Sequence, residues 1–213
     1  MMKIKVVKNV MDANDQVASD NRRFFETAGI VTVNVMASPG AGKTSLILRT
    51  IDALGMPVAV IEGDIASTFD AEKVAEKKVP VVQINTGGAC HLDASQIKNA
   101  LGELNLKKVK YLFIENVGNL VCPAEFRLGE RAKIVVSSVP EGDDKPYKYP
   151  LMFSAVDAVI LNKMDIMPYI DFDMKRFRKG VQGINRKVPI FEISCKTGEG
   201  LDRWVDWLKG LAV

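Results

Sequence analysis

Seven short runs in this chain are apolar and rich in β-branched residues along almost their whole length: Val31–Met36, Pro57–Glu62, Val79–Ile84, Lys110–Glu115, Ala132–Val139, Asp157–Asn162 and Val188–Ile193. A strand with one face in water alternates apolar and polar residues. A strand without that alternation is buried on both faces, which in a globular chain means a parallel sheet covered by helices. Amphipathic stretches of helical period separate most of the runs, among them Lys43–Leu54, Asp93–Leu104, Phe172–Val181 and Leu201–Leu211. The expected fold is therefore α/β: a doubly wound, mostly parallel sheet of about seven strands with helices on both faces. A length of 213 residues suits one domain, 1–213, with 1–29 as an N-terminal lead-in strand and helix. Within it, Asp12–Thr27 reads as a polar helix carrying Val17, Phe24 and Phe25. The turn-rich stretch Glu141–Pro146 reads as a surface loop between two strands.

Composition narrows the function classes. Hydrophobic residues at 47% and charged residues at 26% exclude global disorder. No window is long and apolar enough for a membrane span; even Leu151–Leu161 carries Asp157. With 29 basic and 26 acidic residues, the net charge of +3 leaves no basic footprint for nucleic acid. Lys3, Lys5, Lys8 and the 107–110 lysine run read as solvated faces or strand flanks. No secretory signal is visible at the N-terminus. Three cysteines, an odd number in a chain that needs no staples, point to the reducing cytoplasm and to free thiols or metal ligands.

The first chemical signal follows the strand Val31–Met36. Ala37-Ser38-Pro39-Gly40-Ala41-Gly42-Lys43-Thr44 is a phosphate-binding loop with alanine where the first glycine usually stands, and Ser45 continues into a helix. Small residues let consecutive backbone N–H groups curl around phosphate oxygens at a helix N-terminus. Lys43 would neutralise the β- and γ-phosphates, and the Thr44 hydroxyl would ligate Mg²⁺. The second signal, Asn162-Lys163-Met164-Asp165, ends another strand. Asp165 can accept from the N1–H and exocyclic amine of guanine, a donor pair adenine lacks; Asn162 would donate to guanine, and the Lys163 stem would lie along the base. Ser194-Cys195-Lys196 resembles the third base-contacting loop of GTPases, with Cys195 packed on the base. The expected ligand is GTP, exchanged for GDP, rather than ATP. At the remaining strand ends, Glu115 sits as the Walker-B-type acid and Gly118 presents an N–H to the γ-phosphate. Asp64 and Asp70 follow Glu62 and Gly63; either one completes the Mg²⁺ shell or orients the attacking water.

Cys90 and His91, the sole histidine, lie in one post-strand loop, and Cys122 lies in another, seven residues after Glu115. Thiolate and imidazole suit Ni²⁺ or Zn²⁺ and not Mg²⁺. Three ligands from one chain are one short of a closed tetrahedral site, leaving either an open position or a site shared between two chains. The alternative is that the thiols are merely small buried hydrophobes.

The segments 86–94, 113–123 and 162–165 together resemble the nickel-incorporation GTPases of hydrogenase maturation, the HypB family. This resemblance implies a GTPase of the dimerising class that also holds the urease accessory GTPases (UreG) and the signal-recognition GTPases. It implies a GTP-dependent homodimer, with Cys90, His91 and Cys122 binding Ni²⁺ or Zn²⁺ near the protomer interface. It further implies GTP hydrolysis coupled to nickel insertion, with a small zinc-containing maturation protein and the hydrogenase large subunit as partners; since no glutamine or arginine finger is identified in the sequence, slow intrinsic turnover is expected. No cysteine precedes Cys90 and no histidine-rich tract occurs, so high-capacity nickel storage is not expected. Lys145 and Lys148 could reach a nucleotide across a dimer. The rival readings are a urease accessory GTPase, a P-loop ATPase or kinase with structural cysteines, and a metal-delivery module in which hydrolysis is vestigial.

Overall fold

The computed structural model describes residues 10–65 and 67–212. The expected lead-in strand, with Lys3, Lys5 and Lys8, lies outside the described residues. The chain runs α1 (Val10–Ala28), β1 (Val31–Ala37), α2 (Lys43–Leu54), β2 (Val58–Asp64), α3 (Phe69–Ala75), β3 (Val81–Asn85), α4 (Ala94–Leu101) and β4 (Tyr111–Glu115). It continues with α5 (Cys122–Glu125), β5 (Ala132–Ser138), α6 (Lys145–Lys148), α7 (Pro150–Ser154), β6 (Ala158–Asn162), α8 (Met174–Ile184), β7 (Ile190–Glu192) and α9 (Leu201–Gly210). The strands form one seven-stranded sheet in the order β3-β2-β4-β1-β5-β6-β7. Every pairing is parallel, as the unbroken apolar runs require.

Side chains two apart on a strand share a face, and the core divides accordingly. Val33, Val35, Phe113 and Val136 face α2 and α9, meeting Leu46, Ile47, Trp204 and Leu208. On the opposite face, Met36 and Val135 meet Phe153 and Phe177, while Leu112 and Ile114 meet Phe25 and Ile97. The sheet is thus covered on both sides, and each loop after a strand emerges at one common edge, where open α/β sheets bind ligands.

The lead-in helix α1 buries Phe25, while Phe24 stays 46% exposed. Buried asparagines supply the rest of its attachment. Asn14 accepts from the Ala94 N–H and donates to the Arg127 carbonyl, both at 2.9 Å. Asn21 donates to the Ala94 and Leu128 carbonyls at 2.9 and 3.0 Å.

The expected surface loop Glu141–Pro146 is corrected. Val139–Glu141 forms a 3₁₀ turn, Lys145–Lys148 is helical, and Pro146 is buried. Prolines at the first turns of such short helices lack only an N–H that had no intrahelical partner anyway.

Candidate functional site

The phosphate-binding loop turns through two glycines in the left-handed region, Gly40 at φ 75° and Gly42 at φ 105°. A side chain at Gly42 would also collide with the Asn162 amide, so this glycine lets two loops touch. Ala37, in place of the usual first glycine, is the last residue of β1 and fully buried. Asn162 braces the loop by donating to the Ala41 carbonyl at 3.0 Å, and its oxygen accepts the Cys195 N–H at 3.1 Å. Lys163, itself left-handed at φ 63°, donates from Nζ to the Gly40 carbonyl at 2.7 Å. Ser38 hydrogen-bonds Glu141, which also accepts from the Ser138 N–H at 2.8 Å. The 3₁₀ turn after β5 therefore anchors the loop from the other side.

These elements enclose a cavity of about 580 Å³ lined by Gly40, Gly42, Lys43, Thr44 and Ser45. Asp70 and Glu115 line it at one side, and Asn162, Lys163, Asp165, Cys195 and Lys196 at the other. Asp165 accepts from the Ser194 hydroxyl at 2.7 Å, which fixes its carboxylate. Cys195 is buried, and burial pushes its thiol up to about 11, so it packs as a neutral group. Arg49, which carries no motif, reaches from α2 to the Cys195 and Lys196 carbonyls at 2.7 and 2.9 Å and holds the base-side loop.

Not every expected residue faces the cavity. Gly118 lies against Pro39: a Cβ there would stand 3.0 Å from Pro39 Cγ and 3.1 Å from its nitrogen. Asp64, at the end of β2, accepts the Ser67 N–H at 2.8 Å. Asp70 does line the cavity, and it pairs there with Lys73 at 3.0 Å on α3. Lys145 and Lys148 pair locally with Glu141 at 3.7 Å and Asp144 at 2.6 Å.

Sheet register supplies a residue the sequence pattern had left without a role. Glu62 on β2 lies directly beside Glu115 on β4, and both are buried. Burial first, and then the neighbouring Glu115 carboxylate, push Glu62 up to about 10. Burial also raises Glu115, against the pull of Lys43, whose Nζ stands 3.7 Å from Glu115 Oε1. Thr44 donates to the same oxygen at 3.0 Å. Among the described residues, Glu62 Oε1 and Glu115 Oε2 are buried without a hydrogen-bond partner. Orphaned buried carboxylate oxygens are costly. Beside a threonine hydroxyl, they make a donor set that fits a hard divalent cation.

The sulfur and imidazole ligands gather nearby, on the loops after β3 and β4 that flank β2. Gly87 and Gly88, at φ 59° and 108°, turn the first loop. Asp93 then caps α4 by accepting the Gln96 N–H at 2.8 Å. Cys90 Sγ stands 3.1 Å from Cys122 Sγ and 3.7 Å from His91 Nδ1, and the three ligand atoms lie within 4.8 Å of one another. The contact with Cys90 raises the Cys122 thiol above its ordinary range. The His91 ring packs on Phe126 at a centroid distance of 3.9 Å. Two thiols and one imidazole, converging at the surface, form a donor set for a soft transition metal with an open position.

Comparison with known proteins agrees with this geometry. Residues 31–192 match the family model of the CobW/HypB/UreG nucleotide-binding domain. The hydrogenase maturation factor HypB of Azotobacter vinelandii is 45% identical over 97% of this chain and 69% of its own length. HypB from Helicobacter pylori, solved in complex with nickel, superposes with a TM-score of 0.90 at 38% identity, covering 94% of this chain and 95% of that one. HypB from Archaeoglobus fulgidus superposes with a TM-score of 0.88 at 37% identity, covering 95% and 100%.

Proposed function

Because the chain belongs to the CobW/HypB/UreG nucleotide-binding family, and within it to the HypB maturation factors, we propose that it is a GTP-hydrolysing metallochaperone that couples GTP binding and hydrolysis to nickel insertion during [NiFe]-hydrogenase maturation. The observation that carries this reading is the Cys90–His91–Cys122 triad at the same sheet edge as a cavity built for a guanine nucleotide. A P-loop kinase or ATPase needs neither the triad nor Asp165.

In this reading the loop amides of residues 39–45 cradle the phosphates and Lys43 neutralises the β- and γ-oxygens. Thr44 and Glu115 would hold Mg²⁺, with Asp64 or Asp70 completing the shell; Asp70 is the one that lines the cavity. When bound, that cation would supply neutralisation of phosphate charge. Gly118, pressed on Pro39, keeps its backbone close to the phosphate loop. Asp165, fixed by Ser194, selects guanine, and Lys163 and Cys195 flank the base. Catalysis here is positioning and electrostatics, and with no arginine among the described residues that line the cavity, slow turnover suited to a switch is expected. Nickel or zinc is the cargo, held by Cys90, His91 and Cys122, with the fourth position supplied by a second copy or by the recipient.

The same reading makes 1–213 a single GTPase domain that dimerises with GTP bound. It makes the small zinc-containing maturation protein and the hydrogenase large subunit its partners. Among the described residues, no helix is long and apolar enough to cross a membrane; cytoplasmic work follows from the thiol chemistry of the cargo site.

Complementation tests this function. In a bacterium lacking its own HypB, the chain is expected to restore hydrogenase activity, and Lys43→Ala and Cys122→Ala to fail. Restoration of urease in place of hydrogenase would move the chain to the other branch of the family.

A further inference from the structure

A buried polar path joins the nucleotide cavity to the cargo ligands, and its centre is a residue no motif singles out. Asn116 directly follows Glu115 and is 1% exposed. Its Oδ1 accepts the N–H of Leu92 at 3.1 Å and the N–H of Val117 at 3.0 Å. Its Nδ2 donates to Asn34 Oδ1 on β1 at 3.2 Å. Leu92 is the neighbour of His91, and its side chain is fully buried. It fills the space Gly63 leaves open: a Cβ at Gly63 would stand 2.6 Å from Leu92 Cδ1. Gly63 in turn lies between Glu62 and Asp64. Leu92 is therefore gripped twice, its backbone by the residue after Glu115 and its side chain by the residue after Glu62. The cysteine loops are also joined, since Asn119 donates to the Cys90 carbonyl at 3.2 Å and accepts the Val121 N–H at 2.9 Å.

We infer that Asn116 is the positioning residue through which the nucleotide state reaches the cargo site, by way of its hydrogen bond to the Leu92 N–H. The inference rests on the proposed function, in which cargo handling depends on nucleotide. Glu115 lines the nucleotide cavity, so a change of its partners there moves the backbone that carries Asn116. Close-packed interiors pass such small displacements on as discrete rearrangements rather than absorbing them. Leu92 has nowhere to slide while Gly63 holds its side chain, so the shift is delivered to His91 and Cys90. Coupling of this kind is reciprocal: cargo must change the affinity for GTP by the same factor that GTP changes the affinity for cargo.

The test is Asn116→Leu, which keeps the branched shape and the number of side-chain heavy atoms while removing both the Oδ1 acceptor and the Nδ2 donor. Nickel(II) affinity is measured on wild type and variant, each loaded with GDP or with a non-hydrolysable GTP analogue. Wild type should show affinities that differ by about fivefold or more between the two states, and the variant's ratio should fall to within about twofold of one. A purely structural asparagine would lower stability or both affinities together and leave the ratio standing, which would overturn the inference. A wild-type ratio of one would sink the nucleotide-gated reading itself. Should the variant fail to fold, amide exchange at Leu92 in the wild-type protein decides. Protection that differs between the two nucleotide states supports the path, and equal protection overturns it.

Discussion

Asp165→Asn is expected to weaken GTP binding by about 10²- to 10⁴-fold while leaving the weak binding of ATP unchanged. The carboxylate accepts the Ser194 hydroxyl at 2.7 Å through Oδ1, and it lines the nucleotide cavity. Two acceptor positions are thus held ready for the N1–H and exocyclic amine of guanine. An amide offers one acceptor and turns a donor toward that amine. Each buried donor left unpaired costs about 1–3 kcal/mol, and sites built on such pairs discriminate by large factors. The same amide donor suits a base with a carbonyl in place of the amine, so xanthosine triphosphate should regain part of the lost affinity. Fluorescent-nucleotide titration reads all three ligands. Unchanged GTP affinity would mean that Asp165 does not read the base.

Cys90→Ala and Cys122→Ala should each lower nickel and zinc affinity by more than about 10²-fold, since even loss of an outer-shell partner of a metal ligand costs 10- to 100-fold. The ligand atoms lie within 4.8 Å of one another, and each thiol supplies one of the three donors gathered there among the described residues. Cys195→Ala is the matched control. That thiol is buried against the base-side loop, and burial holds it up at about 11, so its loss should leave metal affinity where it was. Competition with a chromogenic chelator measures the three variants side by side. Equal loss in all three would indicate a general thiol effect rather than a built site.

The parts legible in the sequence are those whose chemistry is local. Seven apolar runs without alternation read as strands buried on both faces; all seven form the sheet, while the edge strands β3 and β7 are only partly buried. The phosphate loop and the Asn162–Asp165 stretch announce themselves because their residues act within a few positions of one another. The stretch 141–146 misled for a physical reason: Gly142, Asp143, Asp144 and Pro146 look like loop composition, yet proline at a first turn starts short helices as readily as it breaks long ones. Glu62, Asn116 and Arg49 have roles that no local pattern assigns. Glu62 matters because parallel register sets it beside Glu115, and Asn116 because its amide meets a loop from 24 residues earlier. Arg49 matters because α2 carries it to the base-side loop, 146 residues later at Cys195. Such roles belong to topology, which periodicity does not encode. Asn162 shows the middle case: its motif marks it for the base, while the structure has it bracing the phosphate loop against Cys195.

Nickel titration of the purified chain, loaded with GDP or with a GTP analogue and followed by mass in solution, bears on the coupling of nucleotide to cargo most directly. A nickel affinity that changes with nucleotide, accompanied by dimer formation with the analogue and lost in Cys90→Ala, is the predicted result. Nickel bound equally in both states, or not at all, would leave a GTPase whose cysteine–histidine cluster takes no part in its switch.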